Sequence, residues 1–345
     1  MEYYAGIDVS LEQSSVCVVD GEGRIVREAK VASEREALIE WFSALGLELS
    51  RIGLEAGPLS QWLYGGLVGA GLRVELLEAR HVRTAFKTMP VKTDRKDARG
   101  IAQLMRLGWF RPVHCKSLPA QEVRALLTAR KLVQGKLHDI ELSLRGILRG
   151  FGLKVGRPTV RGFEGRILEL VSGQASLQAI ADALLKVRHV LRRELAGLEK
   201  RVRSEARQDE RTKLLMSTPG VGTIVALTYV AAIDDPGRFK SSKDVGPHFG
   251  LTPRKYQSGE IDVTGRISKI GDRSVRTALF EAAHVMLTRP VRGGGALKRW
   301  ALALARRSGP RKAKVALARR LAVILHRMWV DGTPFDASKA AGVAG

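Results

Sequence analysis

At 345 residues, with 45% hydrophobic and 6% aromatic side chains, the chain is long enough for two or three domains with sizeable cores. That balance excludes wholesale disorder, collagen and a disulfide scaffold. Its 58 Lys and Arg against 35 Asp and Glu give a formal charge of +23, which points to a polyanionic partner.

From the N-terminus, Tyr4 to Ser10 is a short apolar run holding Asp8 near its end, followed by Ser15 to Asp20 and, after the turn Gly21-Glu22-Gly23, by Arg24 to Val31. Three runs with tight connections predict an antiparallel meander. Residues 34–45 read as a helix, Arg51 to Ala56 as a strand, 59–71 as a helix and Arg73 to Leu77 as a strand. Three strands followed by α-β-α-β is the order of an RNase H-like α/β domain with a mixed sheet.

Residues 119–208 change period. Val133, Leu137, Ile140, Leu144, Ile147 and Phe151 alternate spacings of four and three, and Leu177, Ile180, Leu184, Val187, Leu191, Leu195, Leu198 and Val202 nearly do. This is a coiled-coil seam and predicts a long helical hairpin or a dimer arm, with residues 152–173 as its linker or tip. Residues 214–288 read as a compact unit of mixed helix and loop. Beyond Glu281 the next acidic residue is Asp331; between them lie Arg289, Arg292, Lys298, Arg299, Arg306, Arg307, Arg311, Lys312, Lys314, Arg319, Arg320 and Arg327. Trp300 to Arg307 and Lys312 to Trp329 read as amphipathic helices with Arg-rich outer faces. One sign over that length favours phosphate neutralisation over a merely solvated face.

Charge follows the same division. Residues 1–110 carry 14 basic and 15 acidic side chains, whereas residues 111–345 carry 44 and 20. The expected domains are 1–112, 113–212 (the helical arm) and 213–345 (mainly helical, with a basic helical tail). No apolar run reaches the roughly 18 residues that a membrane-spanning helix needs, and Met1 opens into a strand rather than a signal peptide. Cys17 and Cys115 form no metal-type cluster and suit a reducing compartment. The expectation is a cytoplasmic protein that works on nucleic acid, without a membrane role.

Three constellations can carry chemistry. Asp8 ends the first strand and Glu55 the fourth, which are neighbours in an RNase H-like sheet; Asp94 and Asp97, three apart, share one face of the helix opened by Lys92-Thr93-Asp94-Arg95-Lys96-Asp97-Ala98-Arg99. Four converging carboxylates call for a divalent cation, and an oxygen-only donor set facing phosphate favours Mg²⁺. The plainer alternative makes Asp94 a helix N-cap and Asp97 first-turn charge.

Thr218-Pro219-Gly220-Val221-Gly222-Thr223 resembles the turn of a helix-hairpin-helix element, in which Gly220 and Gly222 let DNA approach the backbone; a plain helix-joining turn is the alternative. Finally, Ser258-Gly259 lies in a flexible, basic loop with Arg254, Lys255, Arg266 and Lys269, cations that can polarise a phosphate. Read from the residues alone, Ser258 is an ordinary turn former.

Gly6-Ile7-Asp8, Glu55-Ala56, Lys92 to Ala98, Pro219 to Gly222, and Ser258-Gly259 with Gly265-Arg266-Ile267-Ser268-Lys269 occur in an order that resembles the DEDD transposases of the "IS one-ten" insertion-sequence family. The resemblance covers nearly the whole chain. It implies a RuvC-like N-terminal domain, a coiled-coil arm and a C-terminal transposase domain. It further implies recombination of donor and target DNA guided by a noncoding bridge RNA, in a homo-oligomer (dimer or tetramer). The implied active site is composite: Asp8, Glu55, Asp94 and Asp97 hold Mg²⁺, and Ser258, or failing it Ser268, links covalently to DNA. Two other readings stay open: a metal-dependent, RuvC-like junction nuclease using water, and a non-catalytic nucleic-acid-binding protein.

Overall fold

A computed structural model of the protein describes residues 2–87, 93–290 and 293–338. Lys92, which opens the Lys-Thr-Asp-Arg-Lys-Asp-Ala block, and Arg292 of the basic run lie outside the described residues. The chain divides into two compact units, 1–116 and 117–345.

In the first unit, β1 (Tyr3–Asp8), β2 (Gln13–Asp20) and β3 (Ile25–Ala32) form the expected meander. Then follow α1 (Arg35–Ala44), β4 (Leu49–Glu55), α2 (Ser60–Gly69), β5 (Val74–Leu77), α3 (Ala79–Ala85) and α4 (Asp94–Leu107). The sheet order is β3-β2-β1-β4-β5, with β1 antiparallel to β2 but parallel to β4, and β4 parallel to β5. Because side chains alternate along a strand, the two faces of the sheet feed two cores. Ala5, Ile7, Val16, Val18, Ile52 and Leu54 pack with Leu38 and Phe42 of α1 and with Leu63 and Leu67 of α2. Tyr4, Cys17, Val19 and Leu77 pack with Ile101, Ala102 and Met105 of α4.

α4 reaches the sheet because Gly6 and Gly53 carry no side chain. A Cβ on Gly6 would lie 2.2 Å from the Ala98 carbonyl oxygen, and one on Gly53 2.8 Å from Met105 Sδ. The helix is fixed from outside by Glu28 on β3, which accepts hydrogen bonds from Arg95 Nε at 2.7 Å and Arg99 Nη2 at 2.8 Å, with Arg99 Nε also donating. Glu28 is almost covered, and the Arg99 contact, reinforced by Arg95, pulls its carboxyl down to about 2.

The second unit opens with α5 (Leu118–Gly150), α6 (Phe163–Val171) and α7 (Ala175–Gln208). Arg130 pairs with Glu199 and Glu141 with Arg188, each at 2.8 Å, so α5 and α7 run antiparallel as a helical hairpin. Its seam differs from the predicted one. Phe151, Ile180 and Val187 are exposed, while Leu148, Ala181, Leu185 and Arg188 turn inward. The period breaks because α6 folds back across this end: Phe163, Ile167 and Val171 pack with Leu144, Leu148 and Leu185. Arg188, only 2% exposed, stacks its guanidinium 4.7 Å from the Phe163 ring centre and donates to the Val160 carbonyl oxygen.

Then come α8 (Glu210–Met216), α9 (Thr223–Ile233), the short α10 (Val245–His248), β6 (Pro253–Ser258), β7 (Ile261–Ile267), α11 (Arg273–Thr288), α12 (Gly295–Ser308) and α13 (Pro310–Asp331). α9, apolar all round, and α13 form the middle of the core with α11 and α12. α13 thus has a buried inner face as well as a basic outer one, on which Arg311, Lys312, Arg319 and Arg327 are exposed. Arg320 on it is buried 4.6 Å from the Trp300 ring centre, and His326 is buried between Ser242 Oγ (2.9 Å) and the Pro236 carbonyl oxygen (3.1 Å). No helix of the described residues is long and apolar enough to cross a membrane.

Candidate catalytic and nucleic-acid-binding sites

In the parallel pair β1/β4, Gly6 lies opposite Gly53 and Ile7 opposite Leu54, so Asp8 and Glu55 end neighbouring strands at the same level. Alternation puts both on the glycine face, the one covered by α4. Asp97, 7% exposed, lies in the first turn of that helix, directly before the Ala98 that touches Gly6; Asp94, three residues earlier in the same turn, is exposed. The helix N-cap is Thr93, whose Oγ1 accepts from Lys96 N at 3.2 Å, so Asp94 is not the cap but the first helical residue. The structure therefore brings Asp8, Glu55 and Asp97 to one end of one sheet face.

All these donors are oxygen, the chemistry of a hard divalent cation. Among the described residues, however, no three His, Cys, Asp or Glu side chains are close enough together to hold a metal ion. The carboxylates face a common edge without forming a closed cage. Glu28, which no sequence motif marks, positions their helix: with Arg95 and Arg99 it sets the azimuth of α4 and so of Asp97.

Ser258 belongs to the second unit. It does not lie in a flexible loop but ends β6, paired with Ile261 across the two-residue turn Gly259-Glu260, and it is exposed. Lys255 is paired across the ribbon with Asp262 at 3.2 Å, and Arg254 Nη2 donates to the Ser268 carbonyl oxygen at 3.3 Å. Arg266 and Lys269 are exposed. Ser268 is half-buried at the ribbon's foot, where its amide donates to the Thr252 carbonyl oxygen and its Oγ faces the Ile270 amide. Ser258 is the more accessible hydroxyl.

The ribbon stands on a backbone-packed base. Cβ atoms on Gly250 or Gly271 would lie 2.3 Å from Ile270 N and 2.2 Å from the His248 carbonyl oxygen. Lys269 adopts φ +57°, and Arg276 Nη1 donates to the carbonyls of Phe249, Ile270 and Gly271. Asp272 caps α11 through the amides of Ser274 and Val275 and pairs with Arg124 of α5 at 2.5 Å. Burial alone would raise the Asp272 carboxyl, but Arg124 together with the Val275 and Ser274 amides outweighs it and holds it below the ordinary range.

At the α8–α9 turn, Gly220 has φ +80°, and a Cβ there would lie 2.7 Å from the Ala282 carbonyl oxygen. That close approach to α11 is an internal reason for glycine. Gly222 is the α9 N-cap, with open space around a Cβ. A cleft of about 510 Å³ in the second unit is lined by Ser117, Glu205, Asp209 and Asp234 among others, and none of the residues nominated from the sequence lines it.

Comparison with known proteins identifies the family of the chain. Residues 5–152 match the profile of the DEDD transposases of the IS110 family, and residues 212–294 that of the transposase IS116/IS110/IS902 family. Together these segments cover more than half of the chain. The chain belongs to the IS110 family of transposases. It is 29% identical to the transposase for insertion sequence element IS1111A of Coxiella burnetii, over 93% of this chain and 87% of that one. A probable family 20 transposase of Pseudomonas aeruginosa is 26% identical over 93% and 94%, and the transposase for IS1328 of Yersinia enterocolitica 27% over 77% and 79%. As a transposase, this enzyme acts on DNA, and the DEDD profile spans Asp8, Glu55, Asp94 and Asp97.

Proposed function

We propose that this transposase cleaves and rejoins DNA strands by serine attack on a phosphodiester, assisted by a divalent cation held by the RNase H-like first unit. The observation that carries the reading is the placement of Asp8 and Glu55 at adjacent parallel strand ends, on the face where α4 presents Asp97. Asp8, Glu55, Asp97 and the more exposed Asp94 would hold the ion. When bound, Mg²⁺ would neutralise charge on the phosphate's non-bridging oxygens and steady the leaving alkoxide.

The protein's own contributions follow from its residues. Ser258 Oγ forms a bond to phosphorus as one P–O bond of the DNA breaks, leaving a phosphoserine ester and a free hydroxyl end. Attack of another DNA hydroxyl on that ester restores a phosphodiester and the serine, so the exchange needs no nucleotide cofactor. Arg254, Arg266 and Lys269 place positive charge toward the foot of the ribbon, where they would hold the DNA backbone while Ser258 at the tip meets the phosphate. The basic second unit supplies most of the grip on nucleic acid. By resemblance to the family, a bridge RNA selects donor and target by pairing, and the working form is a dimer or tetramer. RNA that co-purifies with the protein and pairs with both DNA partners would support that part of the reading.

The competing reading is hydrolysis by the first unit with water as nucleophile; it is favoured by the fact that the carboxylates and Ser258 belong to different compact units. Cleavage assays with Mg²⁺ separate the two. Under serine attack, Asp8→Asn and Asp97→Asn abolish cleavage and Ser258→Ala abolishes it too. Under hydrolysis, cleavage survives Ser258→Ala.

A further inference from the structure

β6 and β7 form a ribbon exposed on both faces, and none of its residues belongs to the core of the second unit. From Lys255 to Ser258 the pairing is regular, so Tyr256 and Ser258 project on one face about 7 Å apart, with Arg254 at the register shift just before them. Register places Val263 opposite Tyr256 and Ile261 opposite Ser258 on the same face. That face is apolar and bare: Tyr256 is 63% exposed, Ile261 and Val263 each 55%. The reverse face carries Lys255 paired with Asp262, together with Gln257 and Thr264. An isolated two-stranded ribbon is marginal in water; this one is rigid at its foot and presents an uncovered aromatic beside the candidate nucleophile.

We propose that Tyr256 is a stacking residue for DNA: its ring packs on a base opened from the duplex next to the phosphate offered to Ser258, with Arg254 on the neighbouring backbone. The proposal rests on the reading of Ser258 as the residue that meets DNA. Cation, aromatic ring and hydroxyl in succession along β6 match the order of phosphate, base face and scissile linkage. A two-stranded ribbon fits the major groove, and Ile261 and Val263 extend the apolar surface beside the ring. Stacking is tolerant of sequence, because every base offers a π-face. That suits this face of the ribbon, on which Tyr256, Ile261 and Val263 offer few groups for reading base edges.

The test uses the full chain and two duplexes of one sequence, one fully paired and one with a short mismatched bubble carrying 2-aminopurine. The wild type binds the bubble more tightly and quenches the aminopurine. Tyr256→Ala weakens bubble binding roughly fivefold or more, loses the quenching and leaves the paired duplex unaffected, whereas Tyr256→Phe keeps both properties. Ser258→Ala keeps them as well, so the stacking role stands or falls apart from the covalent chemistry. Unchanged bubble affinity and quenching in Tyr256→Ala would overturn the proposal. So would a Tyr256→Phe defect equal to that of Tyr256→Ala, which would assign the role to the phenol oxygen. A loss of oligomer mass in Tyr256→Ala without loss of bubble preference would give the face to a second copy of the chain and equally overturn it.

Discussion

Gly6 on β1 and Ala98 on α4 touch backbone to backbone: a methyl group on Gly6 would lie 2.2 Å from the Ala98 carbonyl oxygen and 2.4 Å from the Ala102 amide. This approach brings the helix carrying Asp97 onto the strand carrying Asp8. Neither backbone can yield without moving the other. Gly6→Ala is therefore expected to cost at least about 1–3 kcal/mol of unfolding free energy, as overpacking does, and to abolish DNA cleavage. Gly53→Ala meets instead the movable Met105 Sδ and Ile101 Cγ2 and is the milder change. Denaturant unfolding of both variants checks the ranking; equal stability of Gly6→Ala and wild type would refute the close packing.

Glu28 predicts a pH dependence. Its folded carboxyl titrates at about 2, below the value of about 4.3 for a free glutamate. A depressed folded value means that the native state is favoured by the ionised form. The stabilisation is present in full above pH of about 5 and is lost as the pH falls through the window from about 4.3 to 2. Glu28→Gln should lower stability at neutral pH and flatten the acid limb of the stability curve. Thermal unfolding from pH 7 downward measures both, and a variant as steep in acid as the wild type would contradict the assignment.

How far the sequence discloses such pairings depends on their range. The meander, the α-β-α-β continuation and the neighbouring ends of Asp8 and Glu55 follow from local apolar runs and from the parallel pairing that a crossover helix imposes. Glu28 with Arg99 is different, because 71 residues separate the partners and only the register of β3 brings them together. The ribbon reads as a loop in the sequence because Arg254 to Arg266 buries almost nothing, so no inside-outside pattern marks it as strand. The arm's seam fails at Phe151 because α6 supplies a local cover that a two-helix period does not contain. Arg320 fails in the opposite sense: it looks like one cation in an outer row, but Trp300 shields it.

The row itself remains on the surface at the α12–α13 turn, where Arg306, Arg307, Arg311 and Lys312 are all exposed. Arg311 and Lys312 occupy the first turn of α13, where the helix dipole disfavours cations. Bound phosphate would offset that cost. Replacing Arg306 and Arg311 by Gln should weaken DNA binding about equally for all sequences and reduce the slope of log K against log salt by about one unit for each phosphate no longer neutralised. A sequence-selective weakening with an unchanged slope would argue for recognition of base edges instead.

The central claim is covalent attachment through Ser258. After cleavage in Mg²⁺ and denaturation, the protein–DNA adduct is digested and the modified peptide sequenced by mass spectrometry. The account predicts a nucleotide on Ser258, with no adduct in Ser258→Ala protein whose unfolding curve matches the wild type. A nucleotide on Tyr256, Ser242 or Ser268, or cleaved DNA with no protein attached, would contradict it.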